Sequence, residues 1–178
     1  RYSLNSLTSK FQDTTIINLP FNEIQAQNKS FSNSIQLVYN VSPKVNLNGA
    51  ISNGFRNPNT DDIGKIFSKD DISVVVPNNK LSPEKSINIE AGIQLKINDI
   101  INLQLQIFQT QITDAIERRE AALNGLDSIN YDGEMMKIMM NTNIGRANIK
   151  GINFKYELKI NNQFSHNTII TLLTGATK

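Results

Sequence analysis

The chain has 178 residues, of which 39% are hydrophobic, and it carries a net charge of +2 and no cysteine. The missing cysteines exclude disulfides and thiolate metal sites, and so mild a charge gives no reason to expect nucleic acid as a partner. No apolar run approaches the roughly 18 residues that a membrane-spanning helix needs. A membrane-spanning β-strand stays possible, because it needs only about 9 to 11 residues and is apolar at every second position.

The N-terminal part changes from an irregular polar pattern to clear strand alternation. Residues 1–11 are polar and rich in serine, and the short apolar run at 14–19 predicts a poor strand that ends at Pro20. From Phe31 to Val41, apolar residues occupy most odd positions, which is the period of two of a β-strand. Ser42-Pro43 then predicts a tight turn, so the next strand should pair antiparallel with this one.

Two predicted strands, at residues 45–55 and 86–97, flank a long loop. In the second strand every odd position from 87 to 97 is apolar, a pattern that no amphipathic helix has. A short connection at Asn98-Asp99 leads to another alternating run at 101–107. Phe108 breaks the alternation and predicts a bulge or the end of the strand.

The second long connection covers residues 114–136. It contains Asn124-Gly125, the strongest short sequence signal for a hairpin turn, because both central residues of a type I′ turn need positive φ. Residues 140–160 are interpreted as one long strand, since the alternation is sharp from Ile152 to Ile160. Residues 161–163 predict a short turn before a last strand at 165–173.

Short turns at Ser42, Asn98 and Asn161 alternate with long loops at 56–85 and 114–136. This rhythm is typical of outer-membrane barrels, whereas a soluble sandwich has turn signals every 8 to 12 residues or so at both ends. The two faces of the strands would be lipid and lumen in a barrel, or core and solvent in a soluble sheet, and the alternation alone fits both. The predicted lipid-facing residues are Ile87, Ile89, Ile93, Leu95, Leu103, Leu105, Phe154, Tyr156 and Leu158. The predicted lumen-facing residues are Asn88, Glu90, Gln94, Lys96, Gln104, Gln106, Lys155 and Glu157.

Short motifs follow one another in a fixed order along the chain. They are G-F-R-N-P-N (54–59), D-D-I-G-K-I-F (61–67), L-S-P-E-K-S (81–86), E-A-G-I (90–93), D-A-I-E-R-R (114–119), L-N-G-L-D-S-I-N-Y-D-G-E (123–134) and N-I-G-R-A-N-I-K-G (143–151). Together they resemble the C-terminal barrel region of TonB-dependent outer-membrane receptors, most of all those of the Bacteroidota. The resemblance covers about residues 38–156, and it favours the barrel over the soluble sheet.

The resemblance implies an all-β fold, a partial antiparallel transmembrane β-barrel of about seven or eight strands from a receptor whose relatives close about 22 strands around a plug. Residues 1–178 would then be a fragment of the barrel domain, with the plug upstream. The implied location is the outer membrane of a Gram-negative cell, in contact with its lipid. The implied activity is TonB-dependent uptake of a scarce extracellular nutrient, such as an iron-siderophore, haem, cobalamin or a saccharide. TonB would bind through the plug segment, and no cofactor is implied.

The long loop at 56–85 holds four candidate contacts to a bound ligand or to the plug, namely Arg56, Asn57, Asn59 and Glu84. In the family that the chain resembles, the R-N-P-N motif marks the barrel wall near its extracellular side. We favour a structural interpretation, because an arginine offers several fixed donors that can hold loop carbonyls or carboxylates, and Glu84 can be its partner. Asp61 and Asp62 are interpreted as the acidic first turn of a helix and not as a metal-binding pair.

Nothing in the sequence predicts catalysis. There is no nucleophile with a base, no glycine-rich phosphate loop and no supported carboxylate pair, so the protein is not expected to be an enzyme. His166 is the only histidine, and without partner ligands it is a weak signal for haem or metal. The charge run at 117–120 is interpreted as a solvated loop. Two alternative functions stay open: a passive outer-membrane channel or adhesin barrel, and a soluble all-β binding module.

Overall fold

The computed structural model describes residues 1–11, 17–70, 72–160 and 164–177, which form two compact units. The sheet unit comprises residues 32–54, 86–112 and 146–178, and the loop unit comprises residues 1–31, 55–85 and 113–145. The elements of the described residues are, in chain order, β1 (Tyr2–Lys10), β2 (Glu23–Phe31), β3 (Asn33–Ser42), β4 (Val45–Arg56), α1 (Thr60–Ile63), β5 (Phe67–Asp70), β6 (Ser73–Val76), β7 (Glu84–Lys96), β8 (Ile101–Thr113), β9 (Ile116–Glu120), β10 (Ser128–Tyr131), β11 (Glu134–Asn143), β12 (Arg146–Lys159) and β13 (Ser165–Thr177).

The sheet unit is built on a six-stranded sheet in the order β13-β12-β8-β7-β4-β3. The pairs β3–β4 and β12–β13 are antiparallel, and each is a hairpin of consecutive strands. The six strands have 10 to 14 residues, and a tilted strand needs about 9 to 11 to cross the apolar part of a bilayer. The predicted all-β fold is confirmed. Of the seven or eight strands expected, this sheet contains six, and β1 and β2 form a separate antiparallel pair.

The short connections of the sheet lie at one end of its strands. At the first, Ser42 Oγ accepts a hydrogen bond from the amide of Lys44 (3.2 Å). At the second, Asn98 Oδ1 accepts from the amides of Ile100 (2.9 Å) and Ile101 (2.8 Å). Both predicted turns are confirmed, and the third, at 161–163, lies outside the described residues. The long connections therefore leave from the opposite end, because β3, β7 and β12 begin there and β4 and β8 finish there.

The apolar face of the central strand β7 is more exposed than its polar face. In β7 the apolar residues Ile87 and Ile89 are 52% and 56% exposed, whereas the polar residues Asn88 and Glu90 between them are half-buried. A soluble sheet buries its apolar face, since that burial supplies most of its stability. In β7 the apolar face is the exposed one.

The loop unit has its own sheet and its own hydrophobic core. The sheet has the order β10-β11-β6-β5, with β9 also paired to β11, and the β6–β11 pair is parallel. β6 forms because three successive valines favour a strand, and Pro77 follows at its end. The main buried cluster consists of Ile17, Leu19, Val74, Val76, Leu123, Met136 and Ile138.

Two glycine turns shape this unit. Asn124 and Gly125 have φ of 54° and 84°, and the amides and carbonyls of Leu123 and Leu126 bond to each other across them. The predicted type I′ turn is therefore confirmed. Asp132 and Gly133, with φ of 53° and 90°, make the same kind of turn between β10 and β11.

The structure corrects two predictions of secondary structure and adds a strand where none was predicted. The single strand predicted at 140–160 is wrong, because the chain leaves the ladder at Ile144-Gly145, where the two residues bond instead to Ala115 (2.6 Å) and Asp114 (3.2 Å). Phe108 does not end the strand, since β8 continues through it to Thr113, and a bulge at this position stays a prediction. The polar residues 1–11 contain a strand, β1. The poor strand predicted at 14–19 lies partly outside the described residues, and its residues 17–19 form no strand.

Candidate functional site

Arg56 is the centre of an ion-pair cluster within the loop unit. Its Nε donates to Oε2 of Glu84 at 2.6 Å and its Nη2 to Oε1 at 3.4 Å, while its Nη1 donates to Oδ2 of Asp62 at 2.7 Å. Hydrogen bonding to Glu84 is the largest cause that raises the pKa of Arg56, and Asp62 adds to it. The guanidinium therefore stays charged and holds two carboxylates that are 28 and 6 residues away in the chain.

Local sequence places Asp62 in this cluster. Asn59 caps α1, accepting at Oδ1 from the amide of Asp62 (2.8 Å), and Asp62 Oδ2 accepts in return from the amide of Asn59 (3.0 Å). This reciprocal capping box satisfies two backbone donors that a helix start leaves free. The interpretation of Asp61 and Asp62 as an acidic helix start is confirmed, and one of the two also binds Arg56.

Glu84 connects the ends of both long loops. Besides Arg56, its Oε1 accepts from the backbone amide of Ile116 at 2.6 Å. The carboxylate thus joins the end of β4, the start of β7 and the start of β9. A charge-assisted hydrogen bond is stronger than a neutral one and constrains the geometry of its two partners. Glu84 therefore holds these three chain segments in one arrangement.

All four predicted contact residues are placed in the loop unit, and Arg56, Asn59 and Glu84 share the cluster. Asn57 lies beside it and accepts a long hydrogen bond from Ser30 Oγ (3.3 Å). The structural interpretation of Arg56 agrees with this geometry, because its donors point at carboxylates of its own chain. A direct contact of the four residues with a ligand or a plug stays a prediction.

Two asparagines that the sequence did not single out brace the same loops. Asn143 exchanges hydrogen bonds with the backbone of Ser82, at 2.8 and 2.9 Å, and its amide also reaches the carbonyl of Asp114 (2.5 Å). Asn141, which is buried, donates to the carbonyl of Asp62 and accepts at its own carbonyl from Asn78. Asn143 belongs to the N-I-G-R motif, which is recognisable in the sequence. Its partners Ser82 and Asp114 could not be predicted, because they are far away in the sequence.

The charge run at 117–120 is part of the strand β9 and not of a loop, whereas its predicted exposure to solvent holds for Glu117, Arg119 and Glu120. Arg118 lies over the ring of Phe67, with 5.0 Å between the guanidinium carbon and the ring centroid. Arg119 pairs with Glu117, and Glu120 pairs with Lys137 of β11. The prediction of a loop is wrong because β11 supplies an antiparallel partner, with Arg118 opposite Asn141.

The polar face of the sheet unit is a second candidate surface. Thr110 donates to Asn88 (2.8 Å), Asn88 to Glu90 (3.3 Å) and Gln94 to Asn102 (3.3 Å), so side chains of β7 and β8 bond to one another across the strands. A small cleft on this sheet is lined by the predicted lumen residues Glu90, Gln94, Gln104 and Gln106, together with Gln36 and Asn48. Lys155 and Glu157 lie 3.8 Å apart on β12, and Lys96 pairs with Asp99 of the nearby turn. Such an amide-rich surface can exchange hydrogen bonds with polar groups, and its assignment to a lumen stays a prediction.

Potential metal ligands are scattered in the described part of the chain. No three of its histidine, aspartate and glutamate side chains form a group that could hold a metal ion. His166 lies opposite Leu158 on β13, with its Nε2 2.9 Å from Thr168 Oγ1. The one described helix, α1, is far from the length and apolarity that crossing a membrane would take.

Known proteins share this arrangement of strands. The chain matches the family described as "TonB dependent receptor-like, beta-barrel" over residues 1–177. The siderophore receptor PirA from Pseudomonas aeruginosa superimposes with a TM-score of 0.69 at 17% identity, over 87% of this chain and 30% of that one. PirA from Acinetobacter baumannii superimposes with a TM-score of 0.63 at 19% identity, over 85% of this chain and 24% of that one. The copper transporter OprC superimposes with a TM-score of 0.61 at 13% identity, over 89% of this chain and 22% of that one.

The TM-scores show a shared fold, and at such low sequence identities they show the fold alone. The chain spans less than a third of the length of each of these structures. No curated protein matches the sequence. The family match extends over nearly the whole chain, well beyond the motifs at 54–151, and agrees with the open apolar face of the sheet. The chain belongs to the family of TonB-dependent receptor β-barrels.

Proposed function

We propose that this chain is a section of an outer-membrane receptor that takes up a scarce nutrient by TonB-dependent transport. The observation that carries the proposal is the family match over residues 1–177, joined to a sheet whose apolar face is the exposed one. The apolar face of β7, β8 and β12 meets the lipid of a Gram-negative outer membrane, and the polar face lines the lumen. A wall with this alternation satisfies its backbone within the sheet and presents lipid with apolar side chains.

The loop unit supports the binding part of this function. Receptor loops bind a ligand better when they are already ordered, because less conformational entropy is lost on binding. Arg56, Glu84 and Asn143 hold the two long loops to one another through side-chain bonds to backbone and carboxylate groups. The nutrient is an iron-siderophore, haem, cobalamin or a saccharide, and TonB supplies the energy for its import.

The first experiment is fractionation of the native full-length protein. We expect it in the outer membrane, with the heat-modifiable gel mobility of a closed barrel. A soluble protein without that mobility shift would contradict the proposal and favour the soluble binding module.

A second experiment separates active from passive uptake. Cells that carry the receptor are starved in turn of iron, haem, cobalamin or saccharide, and their growth on each added nutrient is compared with that of a receptor deletion. We expect one nutrient to depend on the receptor and on TonB. Receptor-dependent growth that persists in a TonB-deficient strain would identify a passive channel instead.

A further inference from the structure

The charged residues on the apolar face of the six described strands of this sheet are all basic, and two of the three lie on β12, the third being Lys85 at the start of β7. In β12 the even-numbered residues share the apolar face with Ile152 and Phe154, because side chains alternate along a strand. Arg146 and Lys150 therefore lie on this face, at the end of β12 where the strand begins, and both are exposed. At the described strand positions that share this face across the sheet unit, the sequence places no aspartate or glutamate.

Shallow apolar clefts flank Lys150. One is lined by Ile107, Ile152 and Leu172, and the other by Ile89, Ala91, Ile107 and Gln109, with Lys150 at the border of both. Glu90 also borders the second cleft, but its carboxylate accepts from Asn88 on the polar face of β7. Among the described residues, the ion pairs of the sheet unit are Lys96–Asp99 and Lys155–Glu157, and they use neither Arg146 nor Lys150. In the described part of the chain, neither Arg146 nor Lys150 therefore forms an ion pair with a carboxylate, and both lie near the end of an apolar surface.

We propose that Arg146 and Lys150 bind the phosphate head groups of anionic membrane lipids, whose acyl chains lie in the clefts beside Ile107, Ile152 and Leu172. The complementarity is twofold, since the apolar surface matches the chains and the cations at its end match the head groups. Lys150 can keep its methylene stem on the apolar surface and place its ammonium at the head-group level, and Arg146 lies about 13 Å further along the strand. The inference rests on the proposed function, because it requires that this face meet lipid.

The test uses the full-length receptor, reconstituted in vesicles of phosphatidylcholine alone or with about one third phosphatidylglycerol. Lipid that remains bound after extraction is identified by native mass spectrometry. Near a membrane surface, one basic residue changes the affinity for anionic lipid about fivefold. Two such changes multiply, so we expect Arg146→Gln/Lys150→Gln to bind phosphatidylglycerol about 25-fold more weakly than the wild type, and Lys150→Arg to bind it equally well.

The matched control is Lys155→Gln/Lys159→Gln, which removes two charges from the opposite face of the same strand. Heat-modifiable mobility confirms that each variant is folded. Equal binding of the two lipids by the wild type would overturn this inference and leave the proposed function intact. Equal losses of lipid binding in the two double variants would do the same. Failure of the wild type to insert into either vesicle would contradict the proposed function itself.

Discussion

Arg56 and Glu84 face each other across the two ends of the first long loop, with Nε and Oε2 only 2.6 Å apart. Arg56 is the last residue of β4 and Glu84 the first of β7, so the pair closes the excursion of 27 residues between them. Because Glu84 also accepts from Ile116 of the second loop, one carboxylate couples the two.

Replacing Glu84 should loosen the loop unit and leave the sheet unit in place. Glu84→Ala removes the acceptor of the Ile116 amide and one partner of Arg56, whose side chain is 45% exposed and hence partly screened. We expect a local loss of about 1 to 2 kcal/mol, seen as five- to thirtyfold faster hydrogen exchange at Ile116 in the full-length receptor. Glu117→Ala, which removes an exposed pair with Arg119, is the control. An unchanged rate of hydrogen exchange at Ile116 would show that the Glu84 carboxylate does not stabilise the start of β9.

Asn143 should act as a brace between the two loops. Asn143→Ala leaves the amide of Ser82 without its acceptor and the carbonyls of Ser82 and Asp114 without a donor. The two bonds to Ser82 are exposed and the bond to Asp114 is partly buried, so we expect their loss to cost about 1 kcal/mol. We expect proteolysis in the segments around 82 and 114 on intact cells, whereas Asn79→Ala, at an exposed turn position, leaves them resistant. Equal resistance of both variants would contradict the brace.

Gly151 is predicted to be required for packing between β8, β12 and β13. A Cβ built on Gly151 lies 2.6 Å from Cζ of Phe108 and 2.7 Å from Cδ2 of Leu173. Both atoms end flexible side chains that can shift, so Gly151→Ala should destabilise the receptor by about 1 kcal/mol, read as a lower temperature at which heat-modifiable mobility is lost. Adding Phe108→Leu should restore part of the loss.

Gly175→Ala is the control for this experiment, because the nearest atoms to its Cβ are 3.5 Å and more away. A similar loss of stability from both alanines would mean that the close contact with Phe108 is not the cause.

Neighbouring positions on β7 test which face meets lipid. Ile93→Lys puts a charge on the apolar face, and such a charge costs about 2 to 4 kcal/mol at the middle of a bilayer. Gln94→Lys puts the same charge on the polar face, where Gln94 bonds to Asn102. We expect only the first variant to accumulate poorly in the outer membrane. The reverse order would exchange the lipid and lumen assignments.

Local signals in the sequence were sufficient where one short segment decides the conformation. Asn124-Gly125 predicts its turn because these two residues tolerate positive φ. The start of α1 is predictable because Asn59 is a favoured N-cap residue and Asp61 and Asp62 follow it. The strict alternation of β7 likewise requires no partner to be recognised. The same reasoning applied to Asp132-Gly133 would have found the second glycine turn.

Features that depend on residues far apart in the chain could not be predicted from the sequence. Residues 140–160 alternate well enough for one strand, yet Ile144 and Gly145 leave it because Asp114 and Ala115 take their backbone groups. The Ser- and Gln-rich β1 and β2 have little apolar pattern, and they pair with each other along their whole length. For Arg56, residue type and position indicated a structural role, but only the fold could show that Glu84 and Asp62 both reach it.

The parallel pairing of β6 with β11 has a consequence for the order of folding. Ser73 lies opposite Lys137, so the two strands come together only after 64 residues of chain have been closed into a loop. Contacts of such high sequence separation form slowly, because the entropy of closure is lost before the pairing compensates for it. β3 with β4, and β7 with β8, need only short turns. The hairpins of the sheet can therefore form first, and the loops reach their final structure last, after β12 has anchored the end of the second one.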